Sequence, residues 1–492
     1  MTYVPEQDGG EGAKGRAILS ADMWIPLERF GNPDAIIRMS TLSAISSRDG
    51  EETFVQLARR EQHHIVMCRH LQEDWEERVP SWEVPDLEST WELVGFDDHI
   101  QPRDESQERA WQALLHANNG VLNLACGKGK TVLALKKIAQ RNFPAIVIVN
   151  NEGLLEQWIE SAKRFLGLED GQIGVIRGTK AQWYRPFVVG MIHTISNRAD
   201  DIPMEVRQRF GTVVFDEVHH LSAATFLKTA PMFFGARYGL TATLEREDGL
   251  EPAYYAHVGE PFYSDLVGEL TAQVFFQKTN FALATDAEEI TDKAGEFSLG
   301  LLHVYLSTLE ARNRLIIQMV VEALKAGRKV LALTHSKEHP KILKDMLEEQ
   351  YPGRWTIGAV SGGTKGRKLE EPEGRKRVET KGKARVRIIR GSDVTFASMG
   401  VAREGLDADA LDTVLFLTPF QAWGYFQQGK GRIERKREGK LDPIVVVLDD
   451  LHIPRAHSLC WALRRNIQKR GYEHANIPPR ESPKLVGPVR PV

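Results

Sequence analysis

The sequence predicts an α/β protein with two tandem, doubly wound parallel-sheet domains, preceded by a small α+β domain. Its 492 residues exceed the size of one ordinary domain. From about residue 101 onward, apolar runs of four to six residues alternate with longer amphipathic stretches, which is the pattern of repeated βαβ units. These runs form two series, separated by a stretch of helical apolar spacing over 309–327 that ends at Gly327.

Each series contains five candidate strands. The first series consists of 120–125, 145–150, 187–192, 212–216 and 238–243. The second consists of 329–335, 355–362, 394–399, 413–418 and 443–450. The predicted organisation is therefore a disordered Gly-rich leader (1–20), an N-terminal accessory domain (21–100), the first sheet domain (101–278), the second sheet domain (279–475, with a basic insert at 364–390) and a disordered Pro-rich tail (476–492).

Composition excludes several classes of protein. Hydrophobic residues make up 42% and charged residues 27% of the chain, which is ordinary for a globular protein. No apolar run approaches the ~20 residues that cross a bilayer, so no membrane partner is expected, and the N-terminus lacks the apolar stretch of a signal peptide. The three cysteines are too few for a disulfide framework, and the histidines around Cys68 lack a recognised metal-ligand spacing. An intracellular protein is expected.

Charge is distributed unevenly along the chain. Residues 1–110 hold 11 Lys/Arg and 23 Asp/Glu, whereas 365–390 hold 11 Lys/Arg and only 4 Asp/Glu. A surface that binds phosphates needs local positive charge, so the basic segment is the candidate nucleic-acid contact and a solvated loop is the alternative. Its predicted DNA-binding residues are Lys365, Arg367, Lys368, Arg375, Lys376 and Arg377. The acidic N-terminal domain could select substrate or bind a partner protein.

A Gly-rich turn follows the first strand of the first series and leads directly into a helix. In such a turn, glycines allow backbone N–H groups to close around phosphate oxygens, while the helix N-terminus adds positive potential. Lys130 can reach the β- and γ-phosphates, and Thr131 can hold Mg²⁺. The general phosphate-loop pattern fails at its first glycine, because position 124 is Leu. The predicted ATP-binding residues of this turn are Cys126, Gly127, Lys128, Gly129, Lys130 and Thr131.

A carboxylate pair ends the strand 212–216. Asp216 is predicted to hold the Mg²⁺ that bridges the phosphates, and Glu217 to orient and deprotonate the attacking water. An isolated Asp-Glu pair usually lies in a solvent-exposed turn. In combination with the phosphate loop, however, the Asp216–Glu217 pair predicts hydrolysis of ATP with Mg²⁺ as cofactor.

Three further segments carry a family resemblance. DEVHH (216–220), GLTATLERED (239–248) and QQGKGRIER (427–435) resemble the motifs of superfamily 2 helicases, whose core is two RecA-like domains, over about residues 101–450. Within that superfamily the phosphate loop and Arg246-Glu247-Asp248 are similar to those of XPB-type DNA helicases. Small phage-encoded recombination (branch-migration) helicases have a similar layout.

The resemblance implies roles for particular residues. Gln107 resembles the glutamine that reads adenine, and Gly405 and Asp407 match a motif that faces the nucleotide. Arg246, Glu247 and Asp248 are implied to lie near the DNA strand junction. His219, Thr241, Ala242 and Thr243 are implied to couple nucleotide state to the DNA face. Gln428, Arg432 and Arg435 match a catalytic motif whose two arginines, three apart on one helix, are expected to share a face and reach the γ-phosphate.

The resemblance implies an ATP-dependent DNA helicase or translocase, moving 3′ to 5′ on single-stranded, forked or branched DNA during replication, recombination or repair. The expected location is the cytoplasm, the host cytoplasm for a phage-encoded protein, or the nucleus for a eukaryotic one. Three alternatives stay open: a double-strand DNA translocase without strand separation, an RNA helicase, and a non-catalytic DNA-structure-binding scaffold. A scaffold would be expected to lose Lys130, Asp216, Glu217, Arg432 or Arg435, and the sequence retains all five.

Overall fold

The computed structural model divides the chain into two compact units, Met1–Leu266 and Val267–Val492. The residues it describes are 17–19, 21–45, 52–71, 91–220, 228–244, 249–266, 270–283, 287–364, 368–370, 376–378, 381–403, 410–420, 423–435 and 437–477. Among these residues, no helix is both long and apolar enough to span a membrane.

The first unit begins with the predicted small α+β domain. An antiparallel sheet of order β1-β2-β6-β5 buries Met23, Ile25, Ile65 and Met67, and β3 and β4 form a separate hairpin. Its elements are β1 (Ile18–Leu19), β2 (Asp22–Pro26), α1 (Pro33–Met39), β3 (Thr41–Ile45), β4 (Glu52–Gln56), β5 (Ala58–Glu61) and β6 (His64–Cys68). The charged stretch at 74–90 lies outside the described residues.

A parallel sheet forms the remainder of the first unit. Its eight strands have the order β10-β9-β11-β8-β12-β13-β7-β14, and only β10 pairs antiparallel. The strands are β7 (Gly120–Leu124), β8 (Ala145–Val149), β9 (Ile173–Arg177), β10 (Lys180–Ala181), β11 (Phe187–Met191), β12 (Thr212–Asp216), β13 (Ala236–Thr241) and β14 (Pro261–Asp265). The helices are α2 (Glu105–His116), α3 (Lys130–Arg141), α4 (Glu152–Leu166), α5 (Ile192–Asn197), α6 (Met204–Arg209) and α7 (Glu251–Val258).

The central strands of this sheet are apolar because both of their faces are buried. Alternate residues point to opposite faces, so Val147 and Val214 join the core beneath α2, α3 and α4. Ile148 and Phe215 join the core on the other face, beneath α5, α6 and α7. The carboxyl ends of β7, β12 and β13 lie side by side, since Asp216 is in register with Leu240 and Thr241 with Asn123.

A buried arginine joins the N-terminal domain to this sheet. Arg237 on β13 is fully buried and donates to the carbonyl oxygens of His257 at 2.9 Å, Phe233 at 3.0 Å and Ala21 at 2.6 Å. Burial, followed by the positive charge of Arg69, lowers the pKa of Arg237 to about 9. The N-terminal domain is therefore anchored to the strand that ends at Thr241.

Arg237→Met is expected to destabilise the first unit by at least about 3 kcal/mol, because three buried carbonyl groups lose their donor. Thermal unfolding monitored by circular dichroism would measure this as a lower Tm. Arg185→Met removes an exposed arginine of the same unit and serves as the control. Equal melting temperatures for the two variants would contradict the anchoring role.

The second unit contains an all-parallel sheet of order β17-β20-β16-β21-β22-β15-β23. The strands are β15 (Gln273–Ala282), β16 (Val330–Thr334), β17 (Ile357–Val360), β18 (Lys368–Glu370), β19 (Lys376–Val378), β20 (Val394–Ser398), β21 (Thr413–Phe416), β22 (Ile444–His452) and β23 (His474–Ile477). The helices are α8 (Leu299–Thr308), α9 (Glu310–Lys325), α10 (His339–Gln350), α11 (Lys381–Gly391), α12 (Met399–Arg403), α13 (Trp423–Ile433) and α14 (Pro454–Lys469). The predicted pair of doubly wound parallel-sheet domains is thus confirmed.

The predicted domain limits and the observed units differ in detail. The first unit ends at Leu266, and β15 joins the second sheet although its first residues precede the predicted limit at 278. In the predicted basic insert, β18 and β19 form a short antiparallel hairpin, and α11 follows. The predicted tail begins within β23, and residues 478–492 lie outside the described part of the chain.

Candidate nucleotide site

The phosphate loop connects β7 to α3 through two glycines with positive φ. Gly127 has a φ of 85° and Gly129 a φ of 82°, and the helix begins at Lys130. Leu124, where the general pattern has its first glycine, is the last residue of the strand and is buried. The departure from the pattern therefore falls on a buried strand residue, which precedes the two glycines of the turn.

Gln107 on α2 braces this loop. Its Nε2 donates to the Lys128 carbonyl at 3.2 Å, and its Oε1 accepts from the Arg103 backbone N–H at 3.0 Å. A Cβ on Gly129 would lie only 2.3 Å from Gln107 Nε2 and would push this amide away from the loop, and the φ of 82° also favours glycine. The structure thus brings Gln107 to the predicted ATP site, and its adenine-reading role stays a prediction.

The two lysines of the loop have different environments. Lys130 Nζ donates to the Leu124 carbonyl at 2.8 Å and is half-buried beside the loop, as are Cys126 and Thr131. Lys128 Nζ instead lies 2.5 Å from Asp265 Oδ2 on β14 and 3.1 Å from Ser106 Oγ. The ammonium group of Lys128 therefore fixes the loop to the neighbouring strand.

Asp216 and Glu217 lie at the end of β12, as the sequence predicts. Asp216 is buried, and its Oδ2 accepts a hydrogen bond from Trp158 Nε1 on α4 at 2.7 Å. Burial and the negative charge of Glu217 raise the pKa of Asp216 from 3.8 to about 7. A carboxylate in this position would be strongly favoured in its ionised form by a nearby divalent cation, so the residue type and setting fit Mg²⁺.

Glu217 has a strained backbone. Its φ is +50°, which is uncommon for a residue other than glycine, and its N–H donates to Asp216 Oδ1 at 3.0 Å. Its buried Oε2 lies 3.5 Å from His219 Nδ1. Strain of this kind is often found where the position of a side chain matters for function.

The predicted coupling residues form one hydrogen-bonded network. Thr241 Oγ1 lies 2.6 Å from His219 Nδ1 and donates to the Thr243 carbonyl at 2.6 Å, so His219 Nδ1 must be the donor to Thr241. The Thr243 N–H also donates to Thr241 Oγ1 at 2.9 Å. Ala242 lies buried between the two threonines. The network links the carboxylate pair to the end of β13.

The Mg²⁺ affinity of this site is expected to rise with pH through about 7, because the metal binds the ionised form of Asp216. Titrations of Mg²⁺ against a fluorescent ATP analogue, at pH values on either side of about 7, would measure the half-saturating concentration. Glu217→Gln removes a charge that raises the Asp216 pKa, so it should move the transition to lower pH. An Mg²⁺ affinity that does not change with pH would contradict the assignment.

Trp158→Phe is expected to raise the half-saturating Mg²⁺ concentration at least about tenfold. The Trp158 N–H stabilises the ionised carboxylate of Asp216, and a hydrogen bond to a charged group contributes ~1.5–3 kcal/mol. Trp183→Phe makes the same change at another buried tryptophan of the unit. If both variants bind Mg²⁺ equally well, the hydrogen bond has no role in metal binding.

The arginine motif of the second unit is arranged differently from the prediction. Gln428 and Arg432 are buried on α13, but the helix ends at Ile433, so Arg435 lies beyond it and the two arginines do not share a helical face. Glu434, the first residue beyond the helix, contacts the segment before β15: its carbonyl accepts from the Leu270 N–H at 3.1 Å, and its Oε1 accepts from the Ala272 N–H at 3.0 Å. The catalytic roles of Gln428, Arg432 and Arg435 stay predictions.

Several predicted residues lie outside the described part of the chain. These are Gly405, Asp407, Arg246, Glu247, Asp248, Lys365, Arg367 and Arg375. Lys368, Lys376 and Arg377 lie on β18 and β19, where only the backbone is described. Trp158 and Asp265 were not predicted to belong to the site, because each lies far in sequence from the residue that it contacts there.

Comparison with known proteins supplies the family context. Residues 99–246 match the family model described as "Type III restriction enzyme, res subunit". A protein of Acanthamoeba polyphaga mimivirus named "Putative ATP-dependent RNA helicase" is 24% identical, over 76% of this chain and 68% of its own length. A probable helicase of Escherichia phage T5 is 27% identical, over 67% of each chain.

A third relative, a DNA 3′-5′ translocase XPB2 of Sulfurisphaera tokodaii, is 32% identical over 36% of this chain and 38% of its own length. This chain therefore spans well under half of that relative. Among solved structures, a variant of S. cerevisiae Dbp5 bound to RNA and ADP BeF3 has a TM-score of 0.52 at 13% identity, covering 75% of this chain and 88% of that chain. This likeness confirms the fold of two RecA-like domains.

Proposed function

We propose that this chain, a superfamily 2 helicase with XPB-type and phage helicases among its relatives, is an ATP-dependent DNA helicase or translocase. We further propose that it moves 3′ to 5′ and unwinds or branch-migrates forked DNA in replication, recombination or repair. The observation that best supports ATP hydrolysis is that the phosphate loop and the Asp216–Glu217 pair lie at the same edge of the sheet, where β7 and β12 end. The 3′-5′ DNA translocase named among its relatives supports the choice of track and direction.

The residues of the first unit suit hydrolysis of ATP. The positive φ values of Gly127 and Gly129 suit a turn whose backbone N–H groups bind phosphate oxygens, and Lys130 adds positive charge. Thr131 and Asp216 would hold Mg²⁺, which supplies charge neutralisation at the phosphates. Glu217 is positioned by its own backbone and by His219 to accept a proton from the attacking water.

The His219–Thr241–Thr243 network supports coupling of hydrolysis to DNA. His219 lies 3.5 Å from Glu217 and 2.6 Å from Thr241. A displacement of the Glu217 side chain on nucleotide binding would therefore be transmitted to the end of β13 through two contacts. Cycles of nucleotide binding and release would in this way alter the grip on a strand. The mimivirus relative, named as an RNA helicase, makes RNA the second candidate track.

Strand-separation assays test the proposed activity and its direction. Duplexes with a 3′ tail, duplexes with a 5′ tail, mobile four-way junctions and matched RNA duplexes would be incubated with ATP and Mg²⁺, with label release as the signal. Release from 3′-tailed DNA and from junctions is expected. Release only from RNA would support the RNA alternative, whereas movement along DNA without release would support a double-strand translocase.

We also propose a role for the N-terminal domain and a location for the protein. The acidic N-terminal domain would select the DNA structure or bind a partner protein, since its negative charge disfavours broad contact with a phosphate backbone. The similarity to a phage T5 helicase supports a cytoplasmic location, in the host cell if this protein is phage-encoded.

A further inference from the structure

Helix α14 of the second unit has two different faces. One face packs on the sheet and buries Cys460, Leu463 and Ile467. The opposite face exposes Trp461, Arg465 and Lys469, which recur at intervals of four residues and so lie along one line. We call these three residues the α14 face.

Trp461 is the unusual member of the α14 face. It is 49% exposed, although tryptophan is a residue that folding normally buries. The guanidinium carbon of Arg465 lies 4.7 Å from the centroid of its ring. This cation–π contact lies against one face of the indole, and the 49% exposure of the side chain leaves further aromatic surface open to solvent.

The side chains of α14 with a full charge at neutral pH are all positive. No Asp or Glu occurs between Pro454 and Lys469. Arg464 points inward, where it meets Asp449 at 3.3 Å and lies over the ring of Phe276. Arg465 and Lys469, in contrast, face solvent and form no ion pair with the described residues. The outer face therefore presents positive charge beside an exposed aromatic ring.

We propose that the α14 face binds a segment of single-stranded DNA, with one base stacked on Trp461 and neighbouring phosphates paired with Arg465 and Lys469. The proposal rests on the proposed function, because it supplies a contact for the same track. Positive side chains interleaved with an aromatic ring are the recurring means of holding single strands. Arg465 and Lys469 lie ~6 Å apart along the helix axis, a separation that neighbouring phosphates of an extended strand can span.

Fluorescence anisotropy with a labelled oligo-dT tests the proposal on the full chain. Trp461→Ala is expected to weaken binding about 5- to 100-fold, since stacking of one base contributes ~1–3 kcal/mol. Trp461→Phe should retain most of the affinity. Arg465→Ala with Lys469→Ala should also reduce the slope of log affinity against log salt by about 1.4, at ~0.7 for each phosphate contact.

Matched measurements separate this proposal from the proposed function. Lys325→Ala removes an exposed lysine from α9 of the same unit and should bind like wild type. The rate of ATP hydrolysis without DNA should be equal in all variants, because none of the altered residues belongs to the nucleotide site. If wild type binds DNA and Trp461→Ala binds equally well, the α14 proposal is overturned while the proposed function stands.

Two other outcomes would overturn the assignment of the α14 face to DNA. If Trp461→Ala weakens binding of a matched RNA oligomer but leaves DNA binding unchanged, the face is an RNA contact and the DNA assignment is overturned. If wild type neither binds nucleic acid nor hydrolyses ATP, the proposed function falls and the α14 proposal falls with it.

Discussion

Glu217→Gln is expected to lower the rate of ATP hydrolysis by about 10²–10⁴-fold, the usual contribution of a general base. The substitution keeps the size of the side chain and removes its ability to accept a proton from water. Binding of a fluorescent ATP analogue should persist, because the phosphate loop is unchanged. Steady-state hydrolysis at saturating ATP and Mg²⁺ measures the loss.

The control for this experiment is Glu169→Gln, an exposed carboxylate of the same unit. It should hydrolyse ATP at the wild-type rate. If Glu217→Gln retains hydrolysis within a few-fold of wild type while it still binds nucleotide, Glu217 is not the base. The proton acceptor would then have to be another group near the phosphates.

Gly129→Ala is expected to abolish nucleotide binding. The new Cβ would lie 2.3 Å from Gln107 Nε2, and a residue other than glycine pays ~1–2 kcal/mol for left-handed backbone. Either the Gln107 amide must give up its hydrogen bond to the Lys128 carbonyl or the loop must move, and in both cases the loop loses its support beside the phosphates. Equilibrium binding of a fluorescent ATP analogue measures the effect.

Gly178→Ala separates the two causes. Gly178 also has a positive φ, of 56°, but a Cβ there would meet nothing within 4 Å, so this variant carries the backbone cost alone. It should bind nucleotide normally. The double variant Gly129→Ala with Gln107→Ala removes the collision and should recover part of the binding. Wild-type affinity for Gly129→Ala would show that the loop tolerates the displacement.

The sequence was sufficient to predict most strands of both sheets, because strands buried on both faces are continuous apolar runs. The strands β14 and β15 were not predicted, because neither is a continuous apolar run. β14 contains Ser264 and Asp265 and is only half-buried, and β15 alternates buried and exposed positions. Without β15 in the second series, the predicted domain limit fell inside that strand.

The residues of the nucleotide site that belong to short sequence motifs could be predicted. Gly127, Gly129, Lys130 and the Asp216–Glu217 pair lie in short motifs, each at the end of a strand. Trp158 is different, because a tryptophan on an amphipathic helix is ordinarily a core residue. Its hydrogen bond to Asp216 depends on how α4 packs over β8 and β11, beside the end of β12, which no local pattern encodes.

The arginine motif shows a limit of reasoning from spacing. Residues three apart share a face only if the helix continues through both of them. Here α13 ends at Ile433, and the next residue, Glu434, accepts hydrogen bonds from the N–H groups of residues 270 and 272. Contacts of this kind join segments distant in sequence, so the spacing of residues along the chain does not show them.

The dependence of hydrolysis on DNA would be measured as the rate of ATP hydrolysis at increasing concentrations of nucleic acid. The purified protein would be measured alone, with single-stranded DNA, a fork, a four-way junction and matched RNA, beside Glu217→Gln. We expect DNA to stimulate hydrolysis strongly, branched DNA most of all, and we expect Glu217→Gln to abolish this stimulation. Hydrolysis that does not respond to DNA, or that responds to RNA alone, would contradict this expectation.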